Sequence, residues 1–343
     1  MKVGLLTGGG DCPGLNAVIR AVNQRVHNAG GSCIGFLEGW RGLIKNQTRE
    51  LPIALTEEII ARGGTILGSS RTNPYKRPEV DLPVLRENFS KLGLDALVAI
   101  GGDDTLGVAN RLHNDFGMPM VGVPKTIDND LNVTDFTFGF DTAVNIVIEA
   151  IDRLRTTSES HRRVMVVETM GRQAGWIACF SGIAAAADFV FVPEVPIEMD
   201  RCIDVLKRRR TEGKNYGIVV VSEGAKFPNQ DESTLTGKTD DFGHVQLGGI
   251  SAIVADKIEK ATGFETRNVV LGHIQRGGAP SAYDRVLATR LGLHAAELVL
   301  QKNFGRMVAL KGTRIIEAPL KDGVANLKNL DLDFYREASV FFQ

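Results

Sequence analysis

A short apolar run, a glycine-rich or polar loop and a helical segment follow one another repeatedly along the chain, and this order constrains the fold most. Val3–Thr7 leads into GGGDCPG, Leu94–Ile100 into GGDDT, and Met120–Val123 into PKTIDND. Similar apolar runs recur at Val164–Val167, Gly217–Val221 and Val269–Leu271. Continuous Val, Ile and Leu runs that alternate with helices are typical of parallel sheets covered on both faces. The sequence therefore predicts an α/β fold with ligands at the carboxyl ends of its strands.

The size and charge of the chain exclude several classes of protein. Its 343 residues are enough for two domains, and 40 Lys and Arg against 41 Asp and Glu leave a net charge of −1, which argues against a nucleic-acid binder. The most apolar stretch, Ile183–Val192, is too short to span a bilayer and contains Asp188. Four widely spaced cysteines indicate buried free thiols. We expect a cytoplasmic protein without membrane contact, in which the polar segment Lys226–His244 is a surface excursion.

The first glycine loop does not fit either of the two common nucleotide-binding patterns. A dinucleotide fingerprint from Gly8 would need glycine where the chain has Pro13. A P-loop from Gly9 would need Lys and Ser or Thr where Leu15 and Asn16 stand. What remains is a run of backbone N–H groups and a helix N-terminus, which can face an anion. A tight strand-to-helix turn without a ligand is the alternative.

Two acidic loops follow neighbouring predicted strands. GGDDT contains Asp103 and Asp104, and PKTIDND contains Asp128 and Asp130. Carboxylates in such places can hold Mg²⁺ together with phosphate oxygens. They can also take the proton from a hydroxyl that attacks a phosphoryl group. The alternative is that these side chains only cap helices.

Cationic side chains dominate the later loops: Arg163, Arg172, Arg267, His273 and Arg276. Arginine is well suited to bidentate binding of phosphate, although a single arginine is more often a solvated surface charge. An acidic half and a basic half together predict a metal–phosphate donor that faces an anionic acceptor.

Eight motifs between about Lys2 and Gly312 resemble those of the 6-phosphofructokinases, in the same order and at the same spacing. They are TGGGDCPGLNAVIR, GGTILGSSR, GGDDT, PKTIDND, SHRRV, ETMGRQAGW, SEGA and ETRNVVLGHIQRGG. The resemblance implies two similar Rossmann-like three-layer domains with mostly parallel sheets and the active site in the cleft between them. Residues 1–138 plus about 252–303 would bind the phosphoryl donor, 139–251 plus about 304–320 the sugar phosphate, and 321–343 would form a C-terminal tail.

The resemblance also implies roles for individual residues. Asp128 would be the base that deprotonates the sugar 1-hydroxyl, with Thr126 and Asp130 beside it. Arg172 would stabilise charge on the transferring group, and Asp103 would hold Mg²⁺. Residues against the donor would be Gly10, Arg71, Asp104 and Lys125. Residues that contact the sugar would be Met170, Gly171 and Glu223. The 6-phosphate would be held by His273 and Arg276, joined by Arg163 and Arg267 of a neighbouring subunit, in a homodimer or homotetramer.

Two positions depart from the ATP-dependent members of the family. Those members usually read GGDG[ST] and PGTIDND, whereas this chain has Asp104 and Lys125. The pair resembles the pyrophosphate-dependent branch, which implies reversible phosphorylation of fructose 6-phosphate by pyrophosphate. The alternatives are an ATP-dependent phosphofructokinase, another kinase with a GGD motif such as an NAD kinase, and a catalytically silent metabolite-binding subunit.

Overall fold

A computed structural model describes residues 1–228 and 247–342. These residues form eleven strands and twelve α-helices. The strands are β1 (Lys2–Thr7), β2 (Ser32–Phe36), β3 (Thr48–Glu50), β4 (Ala96–Gly101), β5 (Met120–Pro124), β6 (Val164–Thr169), β7 (Phe189–Phe191), β8 (Gly217–Ser222), β9 (Thr266–Val270), β10 (Arg306–Lys311) and β11 (Arg314–Pro319). Most of the predicted surface excursion, from residue 229 onward, lies outside the described residues.

The helices alternate with the strands as the sequence pattern predicts. They are α1 (Leu15–Asn28), α2 (Trp40–Ile44), α3 (Ile53–Thr56), α4 (Pro78–Lys91), α5 (Asp103–Phe116), α6 (Phe140–His161), α7 (Trp176–Ala184), α8 (Met199–Thr211), α9 (Ile250–Thr262), α10 (Ala282–Leu300), α11 (Leu320–Gly323) and α12 (Leu332–Ala338). None of the helices in the described ranges is long and apolar enough to cross a membrane. All four cysteines are buried and free, as expected.

The strands form two mostly parallel sheets, which confirms the predicted α/β class. The larger sheet has the order β11-β10-β5-β4-β1-β2-β3, and only its outer pairs, β10 with β11 and β2 with β3, are antiparallel. The smaller sheet has the order β7-β8-β6-β9 and is entirely parallel. Val, Ile and Leu side chains of β1, β4 and β8 are almost completely buried, as expected for strands covered on both faces.

Strand register brings the motif loops to one edge of the larger sheet. Thr7 at the end of β1 pairs with Ile100 of β4, and Gly101 at the end of β4 pairs with Pro124 of β5. Because these strands run parallel, the GGGDCPG, GGDDT and PKTIDND loops all leave from the same side.

Two segments pair differently from the expected division into domains. Strand β10 pairs with β5, so residues 306–319 complete the larger sheet and not the sugar-phosphate half. Strand β9 pairs with β6 in the smaller sheet, and α9 packs against both strands, although 252–303 was expected with the donor half. The apolar run of β10 suits either sheet, and β9 has only two apolar residues, Val269 and Val270, to indicate its place. Their partner strands are decided by how distant parts of the chain come together, which local sequence does not encode.

The end of the C-terminal tail packs onto the half of the molecule that carries the smaller sheet. The hydroxyl of Tyr335 donates to the carbonyl of Val190 (2.8 Å). Phe342 is buried, with its ring centroid 5.8 Å from that of Phe189. The tail is therefore anchored by both apolar burial and hydrogen bonding.

Candidate active site

The glycine loop between β1 and α1 is held by two neighbouring loops. The N–H of Gly8 donates to the carbonyl of Ile100 (3.0 Å), and that of Gly9 to the carbonyl of Ser70 (3.2 Å). A Cβ on Gly8 would lie 2.5 Å from Oγ1 of Thr105, so a side chain there would force the loops apart. Glycine thus lets the first motif lie directly against the acidic motif.

The acidic motif opens helix α5. Asp103 and Asp104 are in the first turn of the helix, where carboxylates interact favourably with the helix dipole. The N-cap residue is Gly102, and no side chain makes a capping hydrogen bond. The alternative that these carboxylates serve as N-caps is therefore not what the structure shows, and both line a cavity.

The loop after β5 presents Asp128 with a free proton-accepting position. The N–H of Asp128 donates to Oγ1 of Thr126 (3.0 Å), and Oγ1 of Thr137 donates to the carbonyl of Thr126 (2.7 Å). The Asp128 side chain is buried, and its Oδ1 has no hydrogen-bond partner among the described residues. Its Oδ2 lies 4.0 Å from the guanidinium of Arg276. Oδ1 therefore keeps lone pairs that can accept a proton.

Two cations face these carboxylates. Nζ of Lys125 donates to the carbonyl of Gly10 (2.5 Å), and burial lowers the pKa of this lysine. Arg172 has a left-handed backbone, with φ of 51°. Burial alone would lower the pKa of Arg172, but the surrounding carboxylates, Asp128 foremost, raise it above its usual value. The site thus holds a guanidinium that stays charged among several acids.

One cavity collects most of the residues that the sequence singled out. Its lining includes Gly10, Asp103, Asp104, Lys125, Thr126, Asp128, Asp130, Arg172 and Arg276. An adjoining cleft of about 510 Å³ shares Gly10 and Arg276 and adds Arg71 and His273. A Cβ on Gly10 would lie 2.7 Å from Nη1 of Arg276, which explains how the guanidinium can reach this loop.

The expected sugar-contact residues join the same site through the loop after β6. The N–H of Arg172 donates to Oε1 of Glu223 (3.1 Å), and Gly171 also donates from its backbone. The N–H of Met170 donates to Oε1 of Gln275 (3.2 Å). Burial raises the pKa of Glu223 to about 7, with Asp128 as a second cause. Glu223 therefore links the acidic side of the site to the Arg172 loop.

Arg163 and Arg267 do not reach the cavity of their own chain. Both pair with Glu265, at 2.8 Å and 2.5 Å. Arg163 directly precedes β6, whereas Met170 directly follows it, so the two ends are about 20 Å apart at ~3.3 Å per residue. Neither arginine is among the residues that line the cavity or the adjoining cleft.

The sequence analysis missed two residues of this site and one residue that supports it from outside the cavity. Gln275 is completely buried and accepts from the Met170 loop, and its place in GHIQRGG was the available signal. Thr105 lies under the glycine loop and lines the cavity. Lys328 binds the loop that carries Asp128. Nothing in the local sequence near Lys328 indicates this contact.

We expect Asp130→Asn to stabilise the metal-free protein at alkaline pH. Burial, together with Asp128 and Asp103, raises the pKa of Asp130 from 3.8 to about 7. The folded chain therefore holds this proton more tightly than the unfolded chain, and stability falls as pH rises between these values. Asparagine removes the buried charge. Near pH 8 the melting temperature should rise by roughly 2–4 °C, and near pH 4 it should hardly change.

The exposed Asp152→Asn on helix α6 is the matched control and should change neither value. Thermal unfolding of both variants, recorded with a chelator present, makes the measurement. A melting temperature of Asp130→Asn that is lower than that of the unmodified protein at alkaline pH would show that the charge of Asp130 is compensated.

A parallel α/β fold whose strand ends bring together a glycine loop, several carboxylates and several cations is typical of a phosphotransferase. The chain belongs to the phosphofructokinase family, whose profile, described as "Phosphofructokinase", matches residues 2–299. This finding confirms the family expected from the eight motifs.

Full-length relatives carry the names of both donor types. The chain is 56% identical over 343 residues to a pyrophosphate–fructose 6-phosphate 1-phosphotransferase of Amycolatopsis methanolica, covering 100% of both chains. It is 51% identical over 340 residues to an ATP-dependent 6-phosphofructokinase 3 of Streptomyces coelicolor, covering 98% of this chain and 99% of the relative. Among solved structures, Pichia pastoris phosphofructokinase in the T-state superposes with a TM-score of 0.85 at 31% identity, over 99% of this chain and 36% of that chain.

Proposed function

We propose that the protein transfers a phosphoryl group from pyrophosphate to the 1-hydroxyl of fructose 6-phosphate. The products are fructose 1,6-bisphosphate and orthophosphate, and the reaction is reversible, as a step shared by glycolysis and gluconeogenesis. The observation that carries the proposal is the presence of Asp104 and Lys125 in the same cavity as Asp128, Arg172 and the glycine loop.

Asp128 is the proposed general base. Its Oδ1 is buried and has no hydrogen-bond partner in the part of the chain that the structure describes, so it can accept the proton of the 1-hydroxyl as that oxygen attacks phosphorus. Thr126 fixes the backbone of Asp128 through their hydrogen bond. Arg172 and Lys125 line the same cavity and stabilise negative charge on the transferring group and on the departing phosphate.

The residues present fit magnesium. Within residues 1–228 and 247–342, no group of three or more His, Cys, Asp or Glu side chains forms a metal cage. Magnesium does not need one, since it is usually held by one or two carboxylates together with phosphate oxygens and water. Asp103, at the start of α5 and in the cavity wall, would hold it. The ion would neutralise charge on the donor phosphates.

The acceptor side is formed by the loops that follow β6, β8 and β9 of the smaller sheet. Met170, Gly171 and Glu223 belong to one hydrogen-bonded unit beside Asp128 and would bind the sugar hydroxyls. His273 and Arg276 line the adjoining cleft and would bind the 6-phosphate. Arg276 lines both this cleft and the cavity that holds Asp128, so it joins the acceptor side to the catalytic cavity.

Pyrophosphate is favoured over ATP as the donor by charge and space at the start of α5. The two relatives of different donor type differ by only a few percent in identity to this chain, so the site residues have to decide. Asp104 puts a carboxylate where ATP-dependent members have glycine, and this carboxylate would repel the α-phosphate of a nucleotide. Lys125 offers an ammonium to a compact anion.

The test of the proposed reaction is the formation of fructose 1,6-bisphosphate from fructose 6-phosphate, pyrophosphate and Mg²⁺, and its loss when a chelator is added. The reverse reaction, in which orthophosphate yields pyrophosphate, should be measurable with the same protein. If no product forms with any donor, the proposed reaction is wrong and the protein is a catalytically silent metabolite-binding subunit.

We also propose that the active site is completed by a second copy of the chain, in a homodimer or homotetramer. Arg163 and Arg267 lie at the end of the smaller sheet that is remote from their own cavity, and both are at least partly exposed. In this position they can bind the 6-phosphate held by a neighbouring copy.

Mixing two inactive variants should therefore restore activity. Asp128→Ser lacks the base, and Arg163→Ala lacks the arginine that is offered to the neighbour. In a mixed oligomer, some sites receive the intact Asp128 from one chain and the intact Arg163 from the other. The measurement is turnover after co-expression and purification through two different tags. Hetero-oligomers that remain as inactive as their parents would contradict the shared site.

A further inference from the structure

Lys328 of the C-terminal tail donates hydrogen bonds to three acceptors around the loop that carries the proposed base. Its Nζ lies 3.0 Å from Oδ1 of Asn129, 2.9 Å from the carbonyl of Thr134 and 2.8 Å from the carbonyl of Asp135. An ammonium has three N–H donors, so all of them are used. The backbone N–H of Lys328 also donates to the carbonyl of Asp130 (2.8 Å).

The residue that Lys328 binds is the centre of a tight turn. Asn129 lies between Asp128 and Asp130, is completely buried and has a left-handed backbone, with φ of 53°, a conformation that asparagine adopts when its side chain is hydrogen-bonded locally. Its Oδ1 also accepts from the N–H of Thr137 (3.1 Å). Lys328 and Thr137 therefore hold this side chain from two directions, and the carboxylates on either side of Asn129 are fixed with it.

The same lysine is connected to the opposite side of the active site. Nε1 of Trp176 donates to the carbonyl of Lys328 (3.0 Å), and Nζ of Lys328 lies 5.2 Å from the centre of the Trp176 ring. Trp176 begins helix α7, directly after the loop that carries Arg172. Two residues further along the tail, the N–H of Leu330 donates to Oε1 of Glu194, which also accepts from Gly175.

We propose that Lys328 is a positioning residue that fixes the Asp128 loop relative to the Arg172 loop. The inference rests on the proposed phosphoryl transfer, in which Asp128 and Arg172 act on the same reacting group. Errors of about 1 Å in such an arrangement can cost about 10²-fold in rate. Lys328 does not line the cavity and acts through Asn129, Asp130 and Trp176.

The charge on Lys328 provides a readout that a merely structural contact would not give. Burial lowers the pKa of Lys328 to about 8. The charges of Asp135 and Asp130 act to raise this pKa, and the charge of Lys311 acts to lower it. Below this pH the ammonium serves all three acceptors. Above it, the neutral amine has only two N–H groups for three acceptors, so turnover should fall as pH rises through this range.

The experiment compares Lys328→Met and Lys328→Arg with the unmodified protein, using fructose 6-phosphate and pyrophosphate. Methionine keeps an apolar side chain beside Trp176 and removes every donor. We expect kcat to fall on the order of 10–100-fold, with KM for fructose 6-phosphate changed less than about threefold. Arginine stays charged at every accessible pH and should retain most of the activity. The exposed Lys321→Met in the same tail is the control and should behave like the unmodified protein.

The pH profile of kcat is measured in parallel. The pKa of Lys125 is also lowered, and Lys125 titrates in every variant, so the difference between profiles isolates Lys328. Lys328→Arg should lose the fall in kcat near pH 8 that the unmodified protein shows. An unchanged profile in Lys328→Arg would overturn the proposal, even if Lys328→Met fails to fold.

A Lys328→Met variant with a lowered melting temperature and normal kcat per folded molecule would also overturn it. If the unmodified protein is active only with ATP, the proposal of pyrophosphate as donor is wrong. The kcat values of the two Lys328 variants, measured with ATP, then still test the role of Lys328.

Discussion

Replacing Asp128 by serine is expected to lower turnover by about 10²–10⁴-fold, which is the usual contribution of a general base. Asp128 is buried, and Oδ1 has no hydrogen-bond partner among the described residues, so nothing competes for the proton that the 1-hydroxyl releases. Serine keeps a small polar side chain but cannot accept this proton with comparable strength. Because Asp128 supplies only part of the acceptor site, KM for fructose 6-phosphate should change by a few fold at most.

Steady-state kinetics of Asp128→Ser with pyrophosphate, together with a direct binding measurement for fructose 6-phosphate, makes this test. Asp152→Asn, an exposed carboxylate on α6, is the control for a general loss of negative charge. A serine variant that keeps more than about a third of the turnover would show that Asp128 is not the base, since this loss lies far below the contribution expected of one.

Replacing Asp104 by glycine is expected to improve the use of ATP. Two unit charges about 4 Å apart repel by about 4 kcal/mol at an effective dielectric constant near 20, which corresponds to about three decades in affinity. Screening by a cation reduces this figure, so an increase in kcat/KM for ATP of about 10–10³-fold is the expected range. The structure supports the premise, because Asp104 lines the cavity from the first turn of α5.

Lys125→Gly is the matched second variant. Lys125 lies in the same cavity and donates to the carbonyl of Gly10, so its loss should lower kcat/KM for pyrophosphate. The double variant Asp104→Gly with Lys125→Gly should then have the highest ratio of ATP to pyrophosphate activity. Single variants that leave this ratio unchanged would show that neither residue selects the donor.

Local sequence was sufficient for the elements and for the edge at which the site forms. The apolar runs at Val3–Thr7 and Leu94–Ile100 contain most of strands β1 and β4, and the loops that follow them share one cavity. This worked because consecutive parallel strands place their carboxyl ends together. The chemistry of GGDDT and PKTIDND is contained within each motif, so each could be interpreted alone.

Contacts between distant parts of the chain could not be predicted in this way. Strand β10 is separated by some 180 residues of chain from its neighbour β5, and its apolar pattern is compatible with either sheet. The same is true of Lys328, which is one of many lysines in the sequence until the fold places it beside Asn129. Pairing and burial are global properties, whereas motifs are local.

Arg163 and Arg267 could be predicted only in part: the sequence identified them as site candidates, but not what they contact in the folded chain. The family resemblance implied that they serve a neighbouring subunit, and the structure of one chain shows both arginines with Glu265, remote from their own cavity. A single chain therefore explains why they are absent from its site, while the oligomer remains a proposal that the mixing experiment tests.

The central claim is that the donor is pyrophosphate, and the most direct test is turnover of the unmodified protein with each donor. Purified protein is assayed for fructose 1,6-bisphosphate at saturating fructose 6-phosphate and equal free Mg²⁺, with either pyrophosphate or ATP. The presence of Asp104 and Lys125 in the donor cavity predicts faster turnover with pyrophosphate, and formation of pyrophosphate when fructose 1,6-bisphosphate and orthophosphate are supplied. Faster turnover with ATP than with pyrophosphate would contradict the claim.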